Sequence, residues 1–342
     1  MKQRLEFSQK LLHWYRLNKR DLPWRGSKDP YRIWVAEIIF QQTRIDQGLG
    51  YYTRFMSRFP DLESLAAADE EEVLKIWQGL GYYSRARNML RAARQLVEDF
   101  AGRFPETEGD LRKLRGVGEY TAACLASVCF GVPAPAVDGN VTRVISRLFT
   151  IGEAPESQTG KRLVREYLRN LIDHQDPGDF NEAMMELGAL ICKPASPLCG
   201  VCPLSDKCKA YASNQTGSYP VRRRSALRRE RWFHYLVVCE GDSVLIRKRT
   251  GSDVWQGLYD LPLIESEGPD PFPGRFIQAN ETLVHHLTHQ VIRISFYDLN
   301  PGQFRDYAGG DEIAVRQDQL DAYPFPKPVG DYLNRRFGRS GH

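Results

Sequence analysis

The sequence predicts a multidomain chain in which an all-α domain is followed by an α+β domain. Two changes of pattern predict this. Up to about residue 212 apolar residues recur at helical spacing, whereas from His234 they gather in short alternating and β-branched runs. Between the two lies a polar stretch, 213–230, with five arginines against one glutamate, as a connector would have. The chain has 342 residues, 42% of them hydrophobic, enough for two cores. The domains are drawn at 1–212 and 231–342, with 213–230 as a basic linker.

Charge is distributed unevenly. Residues 1–212 carry 30 Lys and Arg against 27 Asp and Glu, and residues 231–342 carry 12 against 15, so basic excess concentrates in the linker. The run Arg222-Arg223-Arg224 reads either as a solvated linker or as a contact to a nucleic acid backbone. No long apolar segment exists, and Met1 to Arg20 has the pattern of an amphipathic helix and not of a signal peptide, so a cytosolic protein without membrane contact is expected. Four of the seven cysteines, Cys192, Cys199, Cys202 and Cys208, are separated by six, two and five residues. In a reducing compartment this argues for metal thiolates over disulfides, and a tetrahedral structural zinc satisfies the spacing. Cys124, Cys129 and Cys239 sit in apolar runs as buried bystanders.

Taken in order, Leu22-Pro23-Trp24-Arg25 and Asp29-Pro30 form a loop, with Pro30 opening a helix from Tyr31 to Arg44. Its apolar stripe of Trp34, Val35, Ile38 and Ile39 also contains Glu37. A carboxylate there is either paired with a buried Arg or faces a dry pocket that raises its pKa and makes it a general acid. Gln41 and Gln42 are surface amides or a polar wedge against bases. Helical sequence continues from Ile45 to Phe59. Two helices between Ser64 and Phe100 flank Gln78-Gly79-Leu80-Gly81-Tyr82-Tyr83, whose tyrosines suit packing anchors or stacking platforms, with Arg85 and Arg87 supplying phosphate-compatible charge.

The stretch Leu111 to Phe149 organises this half. Gly116 and Gly118 bracket a tight turn before a helix from Glu119 to Phe130, leaving bare amides at a helix N-terminus where an oxygen can approach. It reads as a helix-hairpin-helix or as an ordinary packing corner. Asp138, in Val137-Asp138-Gly139-Asn140, precedes another helix and is an N-cap or a catalytic carboxylate. Helices at 161–174 and 180–191 then lead into the cysteine loop, 192–208. Beyond the linker, Tyr235 to Cys239, a Gly241-Asp242 turn and Ser243 to Arg249 read as a β-hairpin, with further strands near 283–288 and 291–298.

The Gly-Val-Gly hairpin, the aspartate eighteen residues beyond Tyr120 and the cysteine spacing together resemble the helix-hairpin-helix DNA glycosylases with a 4Fe-4S cluster, and among them the adenine DNA glycosylases of the MutY type. The resemblance covers nearly the whole chain and includes Leu22-Pro23-Trp24-Arg25, Gln41-Gln42-Thr43-Arg44, Gly79-Leu80-Gly81-Tyr82-Tyr83 and Asn181-Glu182-Ala183-Met184-Met185-Glu186. It implies an all-α glycosylase domain with an iron-sulfur loop and a C-terminal Nudix-like domain. It further implies a monofunctional base-excision enzyme acting on adenine opposite 8-oxoguanine or guanine in double-stranded DNA. Bifunctional relatives have a lysine where this chain has Tyr120.

By resemblance, Glu37 protonates the adenine and Asp138 stabilises the oxocarbenium ion, with Tyr120 and Asn140 in support. Arg25, Gln42, Tyr82, Gly116, Gly118 and Glu182 are expected at the DNA, Gln42 and Tyr82 as wedges and Glu182 on the adenine edge. The four loop cysteines would hold one 4Fe-4S cluster, placing Lys193, Lys207 and Lys209 near phosphates. No Nudix metal box follows Trp255 to Pro262, so that domain is expected to bind without hydrolysing. Its recognition loop corresponds to Leu287-Thr288-His289, with Leu287 replacing an aromatic. A monomer in the cytoplasm, associated with the nucleoid, is expected. The competing readings are an endonuclease III-like or thymine-mismatch glycosylase and a non-catalytic DNA-binding iron-sulfur protein.

Overall fold

Apolar residues at positions 7, 11 and 15 of the first helix give it one face to bury, and that face meets helices more than a hundred residues away. The computed structural model describes residues 2–221, 228–272 and 277–338. Arg222, Arg223 and Arg224, the linker's basic run, lie outside the described residues. The chain packs as two units, one comprising Met1–Tyr52, Arg58–Ala66 and Arg91–Arg224, the other Thr53–Ser57, Ala67–Leu90 and Ser225–His342. No described helix is long and apolar enough to cross a membrane.

The helices are α1 (Lys2–Asn18), α2 (Pro30–Ile39), α3 (Ile45–Arg58), α4 (Leu62–Ala66), α5 (Glu70–Ile76), α6 (Ser84–Phe100), α7 (Glu108–Leu111), α8 (Glu119–Phe130), α9 (Gly139–Phe149), α10 (Gln158–Leu171), α11 (Pro177–Leu190) and the short α12 (Lys209–Ala212). In the first unit Phe7, Leu11 and Tyr15 of α1 share a core with Val144, Ile145 and Leu148 of α9, Leu168 of α10 and Phe180, Met184 and Leu187 of α11. Each such side chain contributes about 1.5–3 kcal/mol on burial. Local signals set the ends. Asp29 caps α2 through Tyr31 N with Pro30 at its first position, Ser157 caps α10, and Gly131, in the left-handed region at φ +69°, stops α8.

Helix α2 ends at Ile39, five residues short of the sequence expectation, because Phe40 leaves the helix and Gln42 turns left-handed at φ +59°. The ring of Phe40 stacks on Trp24, 4.7 Å between centroids. The region expected to hold two helices between Ser64 and Phe100 holds α4, α5 and α6, since Asp69 begins a separate acidic helix.

In the second unit the strands are β1 (Arg229–Glu240), β2 (Ser243–Lys248), β3 (Tyr259–Asp260), β4 (Leu263–Ser266), β5 (Glu281–His286), β6 (Gln290–Leu299) and β7 (Ile313–Arg316). Their order is β3-β2-β1-β6-β5, with β4 on β1 and β7 on β2. Strands β1 and β6 run parallel from the Arg229–Gln290 pair to the Val238–Leu299 pair, and the β1–β2 hairpin turns at Gly241 (φ +58°). Both faces of β1 are covered. Phe233, Tyr235 and Val237 meet Ile294, Phe296 and, from helix α14 (Lys327–Arg336), Tyr332 and Leu333, while Leu236 and Val238 meet Phe272, Tyr297 and Phe304. The double burial explains why this segment reads as a continuous apolar run. Helix α13 (Pro301–Phe304) follows β6 under an Asn300–Gln303 capping box.

Candidate active site

Glu37 on α2 and Asp138 at the start of α9 line the same cavity, of about 910 Å³, together with Tyr120, Asn140, Glu182 and Met185. The volume falls within the roughly 300–1,000 Å³ typical of small-molecule sites. Glu37 is half-buried on α2 and lines this cavity. Burial therefore raises its pKa; contacts with the Tyr120 hydroxyl and the Cys124 thiol act the other way, and the nearby Glu182 and Asp138 add to the rise. Tyr120 and Cys124 are one turn apart on α8, so they present adjacent groups to the carboxyl. The Tyr120 hydroxyl also lies 3.1 Å from Met185 Sδ.

Asp138 is the N-cap of α9. Its Oδ1 accepts from Val141 N (2.7 Å) and its Oδ2 from Asn140 Nδ2 (2.9 Å). Burial raises this pKa too, but those two bonds and the Arg143 guanidinium oppose the rise. Capping and cavity lining are thus compatible roles for one side chain. Asn140 Oδ1 in turn accepts from Arg143 Nη2 (2.8 Å), and Arg143 donates to Gly188 O (2.8 Å) and Cys192 O (2.7 Å), so a hydrogen-bonded chain runs from Asp138 to the first loop cysteine.

The approach of α11 to α9 is what sets this spacing. A Cβ at Gly188 would lie 2.5 Å from Asn140 Cβ and 3.0 Å from its Cα, closer than packing allows. Gly188→Ala is expected to cost about 1–3 kcal/mol through overpacking, lower the unfolding temperature by several degrees and slow any reaction that uses Asp138. Thermal unfolding and single-turnover rates check this, and an unperturbed variant would show that the two helices have room to part.

The same cavity is lined by a group of largely buried charges. Glu182 Oε2 accepts from Tyr15 OH (2.5 Å) and lies 3.4 Å from Arg25 Nη1. Glu186, 1% exposed, takes Arg25 Nη2 (3.0 Å) and is bracketed by Arg20 through Nε (2.7 Å), Nη2 (2.8 Å) and the backbone N–H (2.9 Å). These Arg pairs hold Glu186 below the ordinary carboxylate value against the effect of burial. Arg25, placed at the DNA by resemblance, lines the cavity but gives its guanidinium to Tyr15, Glu182 and Glu186.

The hairpin turn has the geometry its glycines suggest. Gly116 sits at φ +74°, which a side chain would strain, and Gly118 begins α8 with no side-chain cap and open space where a Cβ would go. Gln42 and Tyr82 both have left-handed backbones, φ +59° and +48°. Such conformations are costly outside glycine and concentrate at functional positions. Arg85 lies over the Trp77 and Tyr82 rings and donates to Gly81 O (3.1 Å), and Arg87 donates to the Gln256 carbonyl. Both guanidiniums thus make intramolecular bonds at the place where the sequence suggests charge for phosphates.

Cys192, Cys199, Cys202 and Cys208 line one small cavity, about 30 Å³, walled by Val144, Leu187 and Leu204 and by Arg147. Arg147 is 2% exposed. It donates to Lys193 O (2.7 Å), Pro194 O (3.0 Å) and Thr216 O (2.9 Å), with Nη1 3.4 Å from Cys192 Sγ. Four thiols around one apolar space beside a buried cation suit an anionic iron-thiolate group, although among the described residues no three His, Cys, Asp or Glu are close enough to hold a single metal ion. Lys207 pairs with Glu6 (3.0 Å).

In the second unit Leu287-Thr288-His289 joins β5 to β6 as a hairpin loop closed by Leu287 N to Gln290 O (2.9 Å). The Thr288 hydroxyl bonds the Tyr82 hydroxyl. The His285 ring packs 5.6 Å from that of Trp255, and burial lowers its pKa. Sequence reasoning missed Cys124 as a neighbour of Glu37, and also Glu186, Arg143 and Arg147. Glu186 stands in a quoted motif. The others carry no local signal, since their partners are brought by helix packing.

The HhH-GPD superfamily base excision DNA repair model matches residues 35–170, and a NUDIX domain model matches residues 234–335. Fold and site thus define a helix-hairpin-helix base-excision DNA repair protein with a C-terminal Nudix-like domain. Among solved structures, a thermostable thymine-DNA glycosylase is similar over 62% of this chain and 98% of its own, with 30% identity and a TM-score of 0.57. An endonuclease III in complex with DNA is similar over 63% and 98%, with 25% identity and a TM-score of 0.53. The adenine DNA glycosylase of Buchnera aphidicola subsp. Schizaphis graminum is 35% identical over 96% of this chain and 97% of its own length, and that of Mus musculus is 44% identical over 62% of this chain and 43% of its own. The chain belongs to the adenine DNA glycosylase family of base excision repair.

Proposed function

We propose that this enzyme hydrolyses the N-glycosidic bond of adenine mispaired with 8-oxoguanine or guanine, and that it stops after base release because Tyr120 stands where a Schiff-base lysine would be needed. The observation that carries the reading is the shared cavity of Glu37 and Asp138 with their unequal surroundings. Asp138 receives a backbone N–H and an amide and feels Arg143, all favouring its anion, whereas the groups beside Glu37 are a hydroxyl and a thiol, with two further carboxyls that disfavour its anion. Glu37 is therefore the member that keeps a proton.

Adenine is flipped out of the stack into the cavity. Glu37 gives its proton to N7 as the glycosidic bond breaks, the bonding pair leaves with the base, and the Asp138 carboxylate faces the sugar cation. The Glu37 carboxylate then takes a proton from the water that adds to the sugar. Asn140 and Tyr120 hold the two carboxyls in place, Glu182 takes the adenine edge with Arg25 behind it, and Gln42 and Tyr82 fill the stack. Gly116 and Gly118 leave amides for a phosphate. Cys192, Cys199, Cys202 and Cys208 would hold a 4Fe-4S cluster, whose role there would be to fix the 192–208 loop. Residues 1–212 act as the catalytic domain and 231–342, joined by 213–230, as the 8-oxoguanine reader through Thr288 and His289. The enzyme works as a monomer on nucleoid DNA in the cytoplasm.

Single-turnover assays on duplexes that differ only in the base opposite adenine test this. Adenine release is expected to be faster opposite 8-oxoguanine than guanine and absent from a normal A·T pair. Replacing Thr288 and His289 with Ala should shrink that preference by about tenfold, the scale of one or two lost polar contacts, with little change opposite guanine. Equal rates opposite 8-oxoguanine and guanine in the unaltered enzyme would refute the assignment of the reader.

A further inference from the structure

The second unit contains residues 67–90 as well as the sheet. Helix α5, the tyrosine turn and the start of α6 are fixed to it by polar ties at several points. Glu71 Oε1 accepts from Lys248 Nζ (2.6 Å) and from Tyr259 OH (3.0 Å). Lys75 Nζ donates to Tyr323 O (3.3 Å), and the Arg87 guanidinium donates to the Gln256 carbonyl and to its Oε1 (3.3 Å). The seam is close-packed as well. Gly257 lies at φ +84°, and a Cβ there would be 3.2 Å from both Glu70 Oε1 and Leu74 Cδ1. At one end of this body the Tyr82 hydroxyl bonds that of Thr288.

Tyr82 and Thr288 are 206 residues apart in sequence, yet they sit on one scaffold. We infer that the Glu71–Lys248–Tyr259 and Arg87–Gln256 seam is a positioning device for lesion recognition, presenting Tyr82 and the Leu287–His289 loop to the duplex as a preassembled reader. The inference rests on the assignment of those residues to mispair reading. Physically, a reader whose two halves are already ordered spares the cost of ordering them on DNA, and the exposed hydroxyl pair holds the two side chains next to each other at the surface. Neither Glu71 nor Lys248 lines the adenine cavity. Loosening the seam should thus weaken discrimination without touching chemistry.

The test is a charge swap. Glu71→Lys, Lys248→Glu and the double variant are compared with the unaltered enzyme by single-turnover adenine release at limiting and at saturating enzyme, on duplexes with 8-oxoguanine or guanine opposite adenine. Glu71→Lys is expected to lower the 8-oxoguanine-to-guanine rate ratio at limiting enzyme by about threefold to fivefold, the scale of one exposed ion pair. It should leave the saturated rates unchanged, and the double variant should regain most of the ratio. Arg87→Ala gives a second variant with the same expected sign, and circular dichroism establishes that each one folds. An unchanged ratio in folded Glu71→Lys and Arg87→Ala, or an equal loss on both duplexes, overturns the inference. No preference in the unaltered enzyme would instead overturn the mispair reading beneath it.

Discussion

Glu37→Gln is expected to slow adenine release by about 10²–10⁴ and to make the protein more stable. The loss follows from removing the proton donor to the leaving base. The gain follows from linkage. Burial holds the Glu37 pKa above its ordinary value, so its contribution to stability is complete below the unfolded-state pKa and is lost as pH rises through the folded one. At alkaline pH the native state must hold a buried anion that the unfolded chain would hydrate freely. Glutamine keeps the shape and removes that cost. Thermal unfolding should therefore show the variant melting higher than the unaltered protein, by more at about pH 9 than at about pH 5, each kcal/mol raising the midpoint by about 2–4 °C. A variant that melts lower at every pH would mean that Glu37 is a structural carboxylate.

Replacement of Asp138 should divide its two duties. Asparagine is as good an N-cap as aspartate, so Asp138→Asn keeps the bond from Val141 N and the start of α9, but it removes the charge facing the sugar. The expected result is a folded protein that binds mispaired duplex within a few-fold of normal and releases adenine about 10²–10³ times more slowly, the scale of one lost electrostatic stabiliser. Asp138→Ala should lose the same activity and about 1 kcal/mol of stability besides. Similar melting for the two variants would show that the cap does not matter. A near-normal rate for Asp138→Asn would show that the charge does not.

Where bond partners are close in sequence, the chain could be read directly. Helix α8 has the bounds its sequence suggests because Gly118 starts it uncapped and Gly131 ends it in the left-handed region. The question posed by Asp138, cap or cavity residue, was legible but not its answer, because one oxygen caps while the carboxyl still faces the cavity. Glu37 stood out as a charge in an apolar stripe. What could not be read depends on helices meeting across long separations. Arg143 and Arg147 look like ordinary cations on an amphipathic helix until α11 and the cysteine loop are placed beside them. Gly188 looks like a weak helix residue until Asn140 is packed against it. The grouping of residues 67–90 with the sheet has no periodic signature, since the helices on both sides of the 78–83 turn carry the same helical spacing as the rest of that half.

The split in protonation between the two carboxyls is tested most directly by the pH dependence of single-turnover adenine release from an 8-oxoguanine mispair. If Glu37 must hold a proton and Asp138 must not, the rate rises as Asp138 ionises, falls again as Glu37 does, and the alkaline fall is missing from whatever activity Glu37→Gln retains. A rate that climbs steadily to about pH 9, or an alkaline fall that survives in Glu37→Gln, would contradict the account.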